Sequence, residues 1–186
     1  MILVAKEPYG QLSRFLDYPT EGYREGLQES LVLLEGRLPE ASGHLVLFLK
    51  SVESLSISDL EELYTRTFDI NPVCSLELGW ILYGQQYERG AFLVRMRELL
   101  RKHDVQEAGE LPDHLTYVLR SLDRMPEDEA TSFVKKEVLP AVQKMREGFA
   151  DNDNPYRAVL EAVETALVQF IHADDNDLQH PSEVGQ

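Results

Sequence analysis

The stretch Gly109-Glu110-Leu111-Pro112-Asp113-His114-Leu115 sets a carboxylate beside an imidazole, the two groups that hold and relay a proton in nucleophilic catalysis. Adjacent residues on a helix project roughly 100° apart and do not face one another. Asp113 therefore cannot orient His114 from the next position, and a catalytic histidine here would need a carboxylate from elsewhere. The sequence offers no nucleophile to go with it. There is no G-x-S-x-G elbow, and Cys74, the only cysteine, has no basic neighbour to lower its pKa.

Metal and phosphate chemistry are equally poorly served. One cysteine builds neither a disulfide nor a thiolate-rich metal site. The five histidines, His44, His103, His114, His172 and His180, show no i, i+4 pairing. Neither G-x-G-x-x-G nor G-x-x-x-x-G-K-[ST] occurs. No catalytic residue, metal site or cofactor is expected.

The plainer reading of Pro112-Asp113-His114 is helix initiation. Proline suits the first helical position, and Asp113 in the first turn would complement the helix dipole by about 0.3 to 1 kcal/mol. Leu111 would then stand at a cap position that it fills poorly, leaving N–H groups for water or a ligand.

The elements that must carry these residues read as helices throughout, because apolar residues recur at three and four positions and no sustained alternation appears. Tyr9, Leu12 and Leu16 mark a first helix before Pro19. Tyr23, Leu27, Leu31, Leu34 and Leu38 mark a second before Pro39, and Leu45, Phe48, Leu49 and Val52 a third. Ser58-Asp59-Leu60-Glu61 fits a capping box, and the stripe Leu60, Leu63, Tyr64, Thr67, Phe68 follows it up to Pro72. Ser75 is placed to cap the next helix.

Gly79, Gly84 and Gly90 punctuate the following segment, which should form two helices broken near Gly84. The second carries Arg89, Arg95, Arg97, Arg101 and Lys102, read as a solvated face with partners inside the chain. Leu115, Val118, Leu119 and Leu122 form a further stripe. Val134, Val138, Val142, Met145 and Phe149 lie on a long helix that Pro140 should kink. After a turn at Asp151 to Pro155, the clearest pattern runs through Tyr156, Val159, Leu160, Val163, Leu167, Phe170 and Ile171.

These segments predict an all-α fold, a single compact domain of about eight to ten helices over residues 1–172. The acidic segment 173–186 has little to bury and is expected to be a disordered tail.

Charge limits the partners. With 33 acidic against 18 basic residues, the net charge is -15, which disfavours nucleic acid and anionic membranes and favours a basic partner. No apolar run reaches the roughly 20 residues that cross a bilayer. The apolar start, Ile2 to Ala5, lacks the flanks of an export signal, so a cytoplasmic protein is expected.

Three blocks, Leu60 to Trp80, Tyr87 to Leu100 and Gly109 to Leu122, closely resemble the nitrate reductase delta-subunit family of molybdoenzyme assembly chaperones. The wider group includes the trimethylamine N-oxide and dimethyl sulfoxide reductase chaperones. The resemblance runs from about Tyr9 to Ile171. Its most specific pieces are Pro112-Asp113-His114 and the E-x-Y-x-x-x-F pattern of Glu62, Tyr64 and Phe68.

What the resemblance implies is a helical cytoplasmic chaperone without catalytic activity or cofactor, a monomer or weak homodimer. It would bind the N-terminal peptide of a molybdoenzyme catalytic subunit, first of all the nitrate reductase alpha subunit, and hold it for cofactor insertion. Carried onto this chain, Asp113 would accept from a peptide Arg or Lys, with Pro112 and His114 shaping the turn. Glu62, Tyr64, Phe68, Asp69, Trp80 and Tyr83 would complete the site, although the apolar stripe favours core packing for Tyr64 and Phe68. The competing reading is a permanent helical adaptor subunit of a redox complex.

Overall fold

The computed structural model describes residues 7–71, 74–149 and 153–179, with side chains through 172. Ile2 to Ala5, Pro72, and Asp151 and Asn152 of the expected turn lie outside the described residues. Within them the fold is all-α. Helix α1 (Pro8–Ser13) runs on into a 3-10 turn (Arg14–Leu16), and α2 (Tyr23–Glu35) and α3 (Pro39–Ser51) follow. Helix α4 (Ile57–Tyr64) widens into a π turn (Thr65–Asp69). Next come α5 (Leu78–Tyr83), α6 (Tyr87–Lys102) and α7 (Leu115–Leu122). Helix α8 (Glu127–Phe133) passes through a second π turn (Val134–Val138) into α9 (Leu139–Glu147), and α10 (Tyr156–Gln179) closes the order.

The clearest apolar stripe in the sequence becomes the axis of the core. Tyr156, Val159, Leu160, Val163 and Leu167 of α10 are fully buried, and α10 packs on α3 on one side and α9 on the other. Burying one such side chain contributes about 1.5 to 3 kcal/mol, so this face dominates the local energetics. At its N-terminal end Tyr156 meets Phe48 of α3 at 5.0 Å and Phe68 at 4.9 Å between ring centroids.

Helix boundaries follow local chemistry, with some departures from the sequence pattern. Gly84 sits at φ +58°, ψ -126°, a region for glycine, and it separates α5 from α6 as the glycine spacing predicts. The capping box lies two residues earlier than Ser58. Ser56 is extended, its Oγ accepts from Asp59 N–H at 3.1 Å, and the Asp59 carboxylate accepts from Ser56 N–H at 3.0 Å. Ile57 is therefore inside α4.

The helix expected to kink at Pro140 begins earlier and is interrupted by the π turn. Pro140 lies in the first turn of α9, and the wider turn just before it relieves the crowding that proline imposes on the carbonyl four residues back. Ser75 does not cap α5, whose N-cap is Glu77. Its Oγ instead accepts from Glu77 N–H at 3.3 Å. The helical backbone of α10 continues past Ala173 to Gln179, and residues 180–186 lie outside the described residues.

Candidate functional site

The Pro112-Asp113-His114 segment does not open a helix. Helix α7 starts at Leu115 with His114 as its N-cap, and the His114 side chain accepts from Thr116 N–H at 3.4 Å. Pro112 and Asp113 belong to the turn before it, so Asp113 is not in the first turn and Leu111 is not the cap. The reason lies across the fold. Glu77 and His114 form an isolated antiparallel bridge, with Leu78 N–H donating to Asp113 O at 3.1 Å and Leu115 N–H donating to Leu76 O at 2.8 Å. Strand-like pairing with residues 76–78 holds the turn extended, and the helix can begin only after it.

The dyad question is answered by geometry. His114 Nδ1 lies 2.8 Å from Thr116 Oγ1. Asp113 Oδ2 accepts from Gly79 N–H at 2.7 Å. The two side chains serve different partners. Asp113 is 0% exposed, and burial pushes its carboxyl pKa up while the Gly79 hydrogen bond opposes that and Glu77 adds to it. Burial lowers the His114 imidazole to about 4, with Arg120 assisting, so it is neutral near pH 7.

Glu77, which bridges to His114, also lines an open cavity of about 240 Å3 together with Phe68, Asp69, Ile70, Asn71, Ser75 and Trp80. Its lining combines two carboxylates with two aromatic rings. Glu110 belongs to the same field: burial raises its pKa first, and the negative charges of Asp69 and then Glu77 raise it further. The carboxylates of Asp69 and Glu77 thus both act on Glu110. One cation is already present. Arg89 of α6 reaches Glu77 Oε2 at 2.6 Å and sits 5.2 Å from the Trp80 ring centroid.

Apolar side chains are exposed at Ile70 of the lining, at Leu111 next to Glu110 in sequence, and at Tyr18. Ile70 is 69% exposed, Leu111 39% and Tyr18 46%. The Tyr18 ring stands edge-on to Tyr64 at 5.3 Å.

The sequence-derived residues separate into groups. Phe68, Asp69 and Trp80 are brought together at the cavity. Tyr64 and Phe68 are 5% and 4% exposed. Tyr64 donates its hydroxyl to Leu16 O at 3.0 Å and stacks edge-on with Phe68 at 5.1 Å, so its ring belongs to the core. Tyr83 packs on Phe92 at 5.4 Å. Glu62 is turned to solvent in an i, i+4 pair with Arg66 at 3.7 Å. Pro112, Asp113 and His114 are buried and do not line the cavity.

Glu77 and Glu110 escaped the sequence reading. Both lie on loop segments without periodicity, and only the clustering of acidic residues on either side of the bridge could have signalled them. Besides Arg89, three residues of the basic stripe are paired internally, Arg95 with Glu137 at 2.7 Å, Arg97 with Glu107 at 3.2 Å and Lys102 with Glu129 at 2.6 Å. A larger cavity of about 520 Å3 beside α6 and α8 is lined by several of these paired residues and offers less uncompensated charge. Among the described residues no group of three or more His, Cys, Asp or Glu could hold a metal ion, and no helix is long and apolar enough to cross a membrane.

Within the described residues the protein is all-helical, with a recess lined by carboxylates and aromatic rings. The chain belongs to the nitrate reductase delta subunit family, whose model matches residues 23–162. Its similarity extends to the nitrate reductase molybdenum cofactor assembly chaperone NarJ of Escherichia coli (strain K12), at 26% identity over 154 residues. The protein of that name from Escherichia coli O157:H7 matches with the same values. The alignment covers 81% of this chain and 65% of each relative.

Proposed function

We propose that this chain is an assembly chaperone that acts in the cytoplasm, binds the N-terminal segment of a molybdoenzyme catalytic subunit and holds it for molybdenum cofactor insertion. The nitrate reductase catalytic subunit is the first choice of client, given the family and the two relatives. The observation that carries the reading is the recess itself: Asp69 and Glu77 beside Phe68, Ile70 and Trp80 in its lining, with Glu110 close enough to feel both carboxylates. A segment that is basic and then apolar places its cation among the carboxylates and its apolar side chains on the rim. Phe68, Asp69, Trp80 and Glu77 form the walls, Tyr64 and Tyr83 support them, Pro112, Asp113 and His114 are buried outside the lining, and Glu62 lies one turn before Arg66 as an outlying acidic contact. No chemical step is assigned to the protein.

The test is calorimetry with a synthetic N-terminal peptide of the nitrate reductase catalytic subunit at low and high salt. Binding at low salt that weakens as salt rises is expected, as is a loss of about tenfold on reversing both exposed charges in Asp69→Lys/Glu110→Lys. Absence of binding to both the peptide and the intact apo-subunit would sink the client assignment.

A further inference from the structure

We infer that Asp113 is a positioning residue of the recess, acting as a hydrogen-bond acceptor that fixes the start of α5 and not as an anion that touches the client. Its geometry stands without the proposed function; its consequence for binding rests on that reading.

Helix α5 has the usual deficit of a helix start, since its first N–H groups have no acceptor one turn back. Its N-cap residue, Glu77, provides no side-chain cap. Trp80 and Ile81 N–H donate to Glu77 O at 3.1 and 3.2 Å. The two preceding donors are both met by Asp113 from across the fold, Leu78 N–H by its carbonyl at 3.1 Å and Gly79 N–H by its carboxylate at 2.7 Å. Because a distant residue caps α5, the Glu77 side chain is not used there. It faces Arg89 and the recess instead.

The contact is close on both sides. A Cβ at Gly79 would lie 2.8 Å from Asp113 Oδ2 and 2.9 Å from Phe92 Cδ1, so glycine is needed for the carboxylate to approach the backbone. Asp113 has no exposed surface, and its Oδ1 has no hydrogen-bond partner among the described residues. The one bond that its carboxylate makes to another residue requires an acceptor and no charge. Burial also raises the carboxyl pKa, while the Gly79 hydrogen bond opposes that rise.

The residue next to Gly79 is Trp80, the only tryptophan of the chain, so its fluorescence reports the position of α5 in the full-length protein without any peptide. Asp113→Asn keeps an acceptor and loses the charge; Asp113→Ala loses both. The asparagine variant should match wild type in Trp80 emission and quenching and bind the nitrate reductase N-terminal peptide within about twofold. The alanine variant should shift the emission and weaken the peptide by about tenfold, the scale of one unmade buried hydrogen bond.

The inference is overturned if Asp113→Asn loses affinity as Asp113→Ala does while Trp80 emission stays that of wild type, which would mark a direct charge contact. It is equally overturned if Asp113→Ala changes nothing. Should circular dichroism show that Asp113→Ala does not fold, Gly79→Ala disturbs the same contact from the other side and must shift Trp80 emission; an unchanged spectrum there also defeats the inference. A wild-type protein that binds no peptide defeats only the client reading, since the emission comparison still decides the role of Asp113.

Discussion

His114 spends its side chain on Thr116 at the head of α7, and its burial has a consequence for pH. Its folded pKa, about 4, lies below the ordinary 6.5. The unfolded chain therefore binds more protons as pH falls through that window. The stability contributed by the neutral imidazole is present above about pH 6.5 and lost as pH approaches 4, by as much as about 3 kcal/mol. Asp123 works in the opposite sense. Its carboxyl, which accepts from Tyr9 N–H at 3.2 Å and Gly10 N–H at 2.6 Å, is raised by burial from 3.8 to about 6, so acidification through this range favours the fold. The variant His114→Asn, which keeps a capping acceptor without titrating, separates the two. The stability advantage of wild type over this variant should shrink between pH 7 and pH 4.5 in denaturant titrations, and a constant difference would refute the assignment. None of this was legible from Pro112-Asp113-His114 in one dimension. The tripeptide carries the signature of a helix start, whereas its conformation is dictated by pairing with Leu76 to Gly79, more than thirty positions away.

Helices were readable where apolar spacing decides them and misread by a residue or two where side chains compete to begin them. Ser56 and Ser58 stand two apart before the same apolar stripe, and both are eligible caps. Position 56 prevails because Asp59 then answers it reciprocally. Ser56→Ala should destabilise the protein by about 0.5 to 2 kcal/mol, whereas Ser58→Ala, an exposed residue within α4, should change stability by less than about 0.5 kcal/mol. Chemical denaturation of the two variants decides between them. The two π turns left no trace in the apolar pattern, since the side chains before them keep helical spacing. Only Pro140 hinted at the second, as a residue that an uninterrupted α-helix would not accommodate.

At the scale of the molecule, charge is the least balanced property. The ion pairs along α6 absorb much of its basic character, leaving a net -15 on the whole chain. Like charges on a compact body repel more than on an expanded one. Added sodium chloride should therefore raise the thermal midpoint of the free protein while weakening the proposed binding of a basic peptide, because both effects come from screening the same field. Circular dichroism melts across a salt series check the first half. A falling midpoint would mean that the internal ion pairs outweigh the excess charge.

The order of the core along the chain also bears on synthesis. The face of α3 carrying Leu45 and Phe48 is covered by α10, whose buried residues begin at Tyr156, more than a hundred residues later. On the ribosome that apolar face emerges early and waits for its cover, since contacts so distant in sequence close late. This part of the interior is thus completed only once the chain beyond Tyr156 has been made. Until then, it exposes the kind of surface that other proteins shield.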